Sequence, residues 1–322
     1  MDLRPLGKTD LRISPIGLGC WQFSSGQGLV GKYWPALPVE TVRAIVRASL
    51  ENGVNWFDTA EAYGGGASEE ALSGALKALG TKPGEAVIAT KWMPFFRRAS
   101  SITGTIDERL RRLGGFPIDL YQIHQAYGAL SSHKELMARL ADLVEQKKIR
   151  TAGISNFNAR QMRAAHAELA KRGIPLVSNQ VQYSLLDRRI ERSGVMDAAK
   201  ELGITIIAFS PLAQGLLSGK FHLDPAALAN LKRPRKLLPS FRPAGLQKSR
   251  PLILALNAIA ERHQATIPQV ALAWLLAFHG NTVVAIPGAS SEKQAIANAG
   301  AMKIQLTQDE LREIDELSRG LR

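Results

Sequence analysis

The chain has 322 residues, 45% hydrophobic and 21% charged, with a formal net charge of +13 at pH 7, a globular rather than a disordered composition. Its longest apolar run, from Val270 to Phe278, falls well short of the roughly 18 residues that a membrane helix needs. Cys20 is the only cysteine, which excludes a disulfide framework and a thiolate-rich metal site.

The start, Met1-Asp2-Leu3-Arg4-Pro5-Leu6-Gly7, has no apolar signal core, so the expectation is a cytoplasmic protein with no membrane partner and no metal. Short runs rich in Ile and Val then alternate with stretches of helical period. Strands are predicted at residues 16–19, 54–57, 86–90, 120–124, 150–154, 176–180, 205–209 and 283–286. Helices are predicted at 39–52, 69–79, 102–113, 134–146, 159–171 and 194–202. A long segment, 251–278, reads as two helices broken around Thr266-Ile267-Pro268, and a final pair follows at 292–299 and 308–317. Gly53, Gly173 and Gly203 each follow a last turn, as a left-handed cap requires, and Thr307 with Glu310 has the form of a capping box. Alternation of this kind, counted to eight, predicts an α/β fold: one (β/α)8 TIM barrel over 1–322 with extra C-terminal helices. Residues 222–250 show no clear period and hold the densest basic patch, Lys232, Arg233, Arg235, Lys236 and Arg242. Following the seventh strand, that segment falls on the face where barrel active sites are built. Elsewhere the basic residues are scattered without interleaved aromatics, so no nucleic-acid partner is predicted.

Four polar residues stand at the carboxyl ends of three consecutive strands. Asp58 and Tyr63 lie in Asn55-Trp56-Phe57-Asp58-Thr59-Ala60-Glu61-Ala62-Tyr63, Lys91 closes the next run and His124 the one after. A barrel gathers strand ends at one mouth, so the four are expected to converge. A lysine ammonium beside a phenol lowers its pKa, and a carboxylate holds the lysine charged. Tyr63 then serves as proton donor to a carbonyl, Lys91 and Asp58 tune it, and a neutral His124 orients the carbonyl oxygen.

With these residues in place the chain resembles the aldo-keto reductase superfamily along almost its whole length. Gly17-Leu18-Gly19-Cys20-Trp21 resembles the first strand, Asp58-Thr59-Ala60-Glu61-Ala62-Tyr63-Gly64 the second-strand motif, and Lys91 and His124 complete a tetrad. The resemblance implies a β-hairpin ahead of the barrel and a nicotinamide cofactor. It places Ser155, Asn156 and Gln180 at the carboxamide, Phe209 against the nicotinamide ring, Ser210, Leu212 and Gly215 near the pyrophosphate, and Gly288, Ser290, Gln294 and Asn298 at the adenosine end. Phe209 stands where tyrosine is common, and on its own it reads as a core aromatic. Gly288 and Ser290 stand where many relatives carry a cation for the 2′-phosphate. NADPH is the expected cofactor, with Ser290, Lys293, Gln294 or a basic residue of 222–250 as substitutes for that cation, and NADH as the alternative.

Trp21, Tyr33 and Trp92 are candidates for the substrate pocket, beside Trp34. Arg97 and Arg98 predict a preference for anionic or phosphorylated aldehydes. The string from Gly26 to Lys32 mimics a nucleotide loop, but Tyr33 follows where Ser or Thr is needed, and no helix opens there; a flexible rim is expected instead. The resulting expectation is an NADP-dependent oxidoreductase reducing a small aldehyde or ketone. The competing reading is a cofactor-binding regulatory subunit, like the potassium-channel β-subunits of the same superfamily.

Overall fold

The computed structural model describes residues 2–28, 33–230 and 235–321. Leu29 to Lys32, most of the expected flexible rim, and Lys232 and Arg233 of the basic patch lie outside the described residues. Two short strands, β1 (Arg4–Pro5) and β2 (Arg12–Ile13), form the antiparallel hairpin. Eight parallel strands follow: β3 (Leu18–Gly19), β4 (Trp56–Asp58), β5 (Val87–Trp92), β6 (Leu120–Ile123), β7 (Thr151–Ser155), β8 (Leu176–Gln182), β9 (Thr205–Phe209) and β10 (Val283–Ala285). Each pairs with the next, and bridges from Ile16 to Ala285 and from Gly19 to Gly288 close the ring. The fold is a (β/α)8 TIM barrel.

These strands read as nearly continuous apolar runs because both of their faces are buried. Successive residues alternate between the faces. Trp56, Ala89, Leu120, Ile207 and Val284 fill the barrel interior, whereas Phe57, Ile88, Tyr121, Ile206 and Ala285 pack outward under the helices. The hairpin contributes Leu6, Leu11 and Ile13 to the interior cluster, sealing one end. Arg4 reinforces that seal by donating to the carbonyls of Leu276 at 2.8 Å and Gly280 at 3.2 Å. Each large apolar side chain so buried contributes about 1.5–3 kcal/mol.

The helices agree with the sequence reading except where local chemistry breaks them. Gly53, Gly173 and Gly203 take φ of +84°, +67° and +69°, and Thr307 and Glu310 form the expected capping box. The helix expected over 102–113 is two, Ser100–Gly104 and Ile106–Arg112. Thr105 divides them, its hydroxyl donating back to the Ser101 carbonyl at 2.7 Å while it accepts from Arg97. The segment 222–250 is not structureless. It holds the short helices Pro225–Ala229, Arg235–Leu237 and Pro239–Phe241, and Phe221, Phe241 and Leu246 form a small core of their own with Leu216. From there the helix Pro243–Arg262 runs through Pro251, so it begins earlier than expected.

One buried charge couples the barrel to its helical layer. Glu69, on helix Ala67–Ala78, accepts from Thr90 of β5 at 2.7 Å and from Arg109 at 2.8 Å, with all three residues buried. Burial pushes the Glu69 carboxyl up to about 7, against the pull of Arg109 and Thr90. The folded state therefore binds a proton that the unfolded state releases between pH 4.5 and about 7. Stability is expected to fall by on the order of 2–3 kcal/mol from this group as pH rises through that window. Chemical unfolding of the wild type and of Glu69→Gln across the window tests this; the variant should lack that part of the slope.

Candidate active site

Strand alternation places the polar residues at the open end of the barrel. Asp58 continues the inward row of Trp56, Lys91 that of Val87 and Ala89, and His124 that of Leu120 and Gln122. The loop after β4 brings Tyr63 back over them. The Lys91 ammonium, fully buried, donates to Asp58 Oδ1 at 2.5 Å, to the Thr59 carbonyl at 2.7 Å and to the Tyr63 hydroxyl at 3.4 Å. Asp58, also buried, accepts further on Oδ2 from Gln180 at 2.8 Å and Gln122 at 3.3 Å. The His124 ring meets the Tyr63 ring edge-on at 5.8 Å. The four residues expected to converge do so.

Electrostatics set the states of Lys91, His124 and Tyr63. Burial pulls the Lys91 ammonium down, but Asp58 and Tyr63 outweigh it and hold its pKa above the ordinary lysine value. Burial likewise holds His124 well below its usual range, assisted by the Lys91 charge, so its ring is neutral at pH 7. For Tyr63 the sequence-based expectation of a lowered pKa is corrected. Lys91 does act in that direction, yet burial of the phenol outweighs it and the net shift is upward. An uncharged ring in a poorly hydrated site loses more by ionising than one nearby cation returns.

On the far side of the mouth, the segments after the neighbouring strands β7, β8, β9 and β10 form a continuous rim. Ser155 donates to the Gln180 carbonyl at 2.8 Å, and Asn156, at φ +63°, donates to the His124 carbonyl at 3.2 Å and to Ser155 at 3.1 Å. Phe209 is half-buried, packed on the interior cluster rather than enclosed by it. After it, Ser210, Ala213, Gln214 and Gly215 take φ of +49°, +47°, +57° and +92°, with Leu212 between them. Left-handed backbone at three non-glycine residues costs on the order of 1 kcal/mol or more each and clusters at ligand sites, where it turns successive N–H groups into an anion-binding concavity. Past β10, a Cβ on Gly288 would stand 2.2 Å from the Gln22 side-chain amide, so a larger residue there would have to displace that amide. Asn298 donates to the Gly288 carbonyl at 3.2 Å, and both the N–H and the hydroxyl of Ser290 donate to Gln294, at 2.8 and 3.0 Å.

Aromatic rings pack beside Tyr63. Trp21 stacks with Tyr63 at 6.1 Å and with Tyr33 at 5.0 Å, and Trp34 packs edge-on against both Trp21 and Tyr33. Trp92 is not among them. It follows Lys91 on β5, so it faces outward, fully buried, with its indole N–H on Ser101 at 3.2 Å. Arg97 is also committed elsewhere. It stacks on Trp92 at 5.0 Å, pairs with Glu61 and donates to Ser101, Thr105 and the Met93 carbonyl. Its guanidinium therefore holds the loop after β5 and does not face a substrate anion. Sequence reasoning missed Gln122 and Gln214. Gln122 was detectable as a polar residue on the inward parity of an apolar strand. Gln214, which binds Tyr33 and accepts from Arg235 at 3.3 Å, had no local signal. A cleft of about 730 Å³ lined by His263, Gln269, Lys293 and Lys303 lies apart and includes none of Asp58, Tyr63, Lys91 and His124.

The architecture is a TIM barrel with a buried Asp58–Lys91–Tyr63 cluster at its carboxyl mouth. The chain belongs to the aldo/keto reductase family, whose model matches residues 15–319. It is similar to an uncharacterized oxidoreductase of Mycobacterium tuberculosis, 38% identical over 314 residues, or 97% of this chain and 91% of the relative. It is also similar to the chloroplastic pyridoxal reductase of Arabidopsis thaliana, 34% identical over 311 residues, or 93% and 82%. Among solved structures, the glycerol dehydrogenase of Gluconobacter oxydans superposes with a TM-score of 0.83 at 27% identity, over 98% of this chain and 94% of that one. A thermostable aldo-keto reductase solved with the inhibitor epalrestat gives 0.76 at 29% identity, over 98% and 100%.

Replacing Lys91 by methionine leaves the Asp58 carboxylate buried without a cation. The expected loss is about 3–5 kcal/mol in chemical unfolding, and adding Asp58→Asn should restore most of it.

Proposed function

We propose that the chain, acting as one barrel domain, reduces an aldehyde or ketone to the alcohol, with a nicotinamide cofactor supplying the hydride and Tyr63 the proton. The observation that carries this is the buried Asp58–Lys91–Tyr63 chain beside a neutral His124. A phenol held protonated by burial is a competent donor to a developing alkoxide, and the adjacent ammonium stabilises the phenolate that donation leaves. Asp58 exchanges no proton with substrate; it keeps Lys91 charged and aimed. His124, neutral, presents an N–H to the carbonyl oxygen and fixes its direction.

The rim fits the cofactor in chemistry. Phe209 offers a ring face, and Ser155 and Asn156 offer polar groups to the carboxamide. The Gln180 amide nitrogen is spent on Asp58, which leaves its oxygen to accept a carboxamide N–H. The left-handed run from Ser210 through Leu212 to Gly215 offers backbone N–H groups to the pyrophosphate. Gly288, Ser290, Gln294 and Asn298 border the adenosine. NADPH is the proposed cofactor on family grounds, but Ser290 and Gln294 pair with each other and carry no charge. Lys293 lines the separate cleft. A charge-assisted contact is worth about 1.5–3 kcal/mol. Without one from Ser290, Gln294 or Lys293, a preference for NADPH over NADH above about 100-fold would have to come from the basic residues of 222–250. Of these, Arg235 stands at the rim and donates to the Gln214 carbonyl at 3.3 Å. The relative named as a pyridoxal reductase supports aldehydes among the substrates.

Tyr63→Phe is expected to keep cofactor affinity and to lower turnover by about 10²–10⁴-fold. Full activity in that variant, measured on an aldehyde panel with both cofactors, would remove the mechanism.

A further inference from the structure

Tyr63 sits between a short loop and a glycine tether. On one side its N–H reaches only back to the Ala60 carbonyl at 3.0 Å, within the same loop. On the other, Gly64, Gly65 and Gly66 follow with φ of +68°, +64° and +98°, a left-handed run that glycine adopts without steric cost. A Cβ on Gly64 would stand 2.3 Å from the Ser24 carbonyl oxygen, so the backbone itself leaves no room for a side chain. Three glycines in succession make a compliant link, because glycine has the most conformational freedom to lose on folding.

What holds the tyrosine is the first turn of the helix Ala67–Ala78, into which the glycines lead. Its N-cap, Gly66, has no side chain to cap the turn, so the first N–H groups need other acceptors. Ser68 N–H donates to the Tyr63 carbonyl at 3.2 Å. The Ser68 hydroxyl, fully buried, accepts from the Thr59 hydroxyl at 2.8 Å and donates to the Cys20 carbonyl at 2.7 Å. Cys20 N–H in turn donates to the Asp58 carbonyl at 2.8 Å, closing a ring of bonds through Asp58, Thr59, Ser68 and Cys20. One residue on, Glu69 accepts from Thr90, the neighbour of Lys91. A single helical turn therefore grips the chain beside Asp58, Tyr63 and Lys91.

The link most sensitive to that grip is the longest one. The Lys91 ammonium reaches Asp58 at 2.5 Å and the Thr59 carbonyl at 2.7 Å, but the Tyr63 hydroxyl only at 3.4 Å. A drift of roughly 0.2 Å more takes that contact outside hydrogen-bond range. Thr59 and Tyr63 bound the segment that would drift, and Ser68 holds both. We propose that Ser68 is the positioning residue that keeps the Tyr63 hydroxyl within reach of the Lys91 ammonium, acting through the Thr59 hydroxyl and the Tyr63 carbonyl. It touches no reacting atom. The assignment deepens the proposed reduction and rests on that reading for its kinetic consequences alone.

The consequences have a definite sign. Burial, Asp58 and Cys20 all oppose ionisation of Tyr63, Lys91 favours it, and the neutral His124 ring stands edge-on. A looser Lys91 contact leaves the phenol harder to ionise. Alcohol oxidation, the reverse reaction, needs the phenolate as base, so its rise with pH moves to higher pH.

The test compares the full chain with Ser68→Ala, Thr59→Val, Thr59→Ser and the Ser68→Ala/Thr59→Val pair, with melting to show that each is folded. Where Ser68→Ala does not fold, Thr59→Val, which removes only the donor to Ser68, carries the same expectation. In protein carrying isotope-labelled tyrosine, the NMR resonance of the Tyr63 ring is assigned by its absence in Tyr63→Phe and needs neither substrate nor cofactor. Ser68→Ala should shift that resonance, lower aldehyde turnover about tenfold, leave the dissociation constant for NADPH within about twofold and move the onset of alcohol oxidation to higher pH. Thr59→Ser, which keeps the hydroxyl, should match wild type, and the double variant should be no worse than Ser68→Ala. An unshifted Tyr63 resonance in Ser68→Ala overturns the proposal. So do an oxidation onset that stays in place, losses that multiply in the double variant, and a Thr59→Ser as impaired as Thr59→Val. A wild type without turnover removes the proposed reduction instead, and the Tyr63 resonance still decides the role of Ser68.

Discussion

A lysine ammonium removed from water has to be surrounded by oxygen, and the mouth of this barrel is organised around meeting that need. Lys91 is supplied by Asp58, by the Thr59 carbonyl and by the Tyr63 hydroxyl. Asp58 in turn draws on Gln122 and Gln180, from strands two and four places along the ring. Four strands are thereby tied through one ion pair. Such a pair adds little net stability compared with apolar packing, but losing one partner is costly. In the proposed reduction the pair serves Tyr63, whose phenol is held protonated by burial with a cation beside it.

The barrel divides its interior by height. Trp56, Ala89, Leu120, Ile207 and Val284 make a dry lower layer sealed by Leu6, Leu11 and Ile13 from the hairpin. One inward position higher on the same strands come Asp58, Lys91 and Gln122. The dry layer lowers the dielectric under the polar one, which is why burial dominates the titration of both Tyr63 and His124. Stability and chemistry occupy adjacent layers of one alternating pattern.

The rim is built by a different logic. Its strained residues, Asn156, Ser210, Ala213 and Gln214, lie after strands, where the scaffold can impose an unfavourable backbone on a short loop. Phe96 is held in the same manner on the other side of the mouth. In both places rigid strands below sustain conformations that the loops would not adopt alone.

Much of this was legible in the chain. Strand and helix positions follow from local periodicity and glycine caps, and Asp58, Tyr63, Lys91 and His124 were visible because a polar residue ending an apolar strand needs a partner. What could not be read depends on which side chains meet across the ring. Trp92 looked like pocket lining until its parity put it under the helices, and Arg97 looked like a substrate contact until Glu61, Ser101 and Thr105 took its donors. The direction of the Tyr63 shift belongs to the same class, since it balances burial against one charge. The sequence by itself determined the alternating elements and the polar strand ends, which are short-range properties of neighbouring residues. Only the tertiary structure decided the partners of Gln180 and Arg97 and the exposure of Phe96, because hydrogen-bond donors and solvent are allotted by residues distant along the chain.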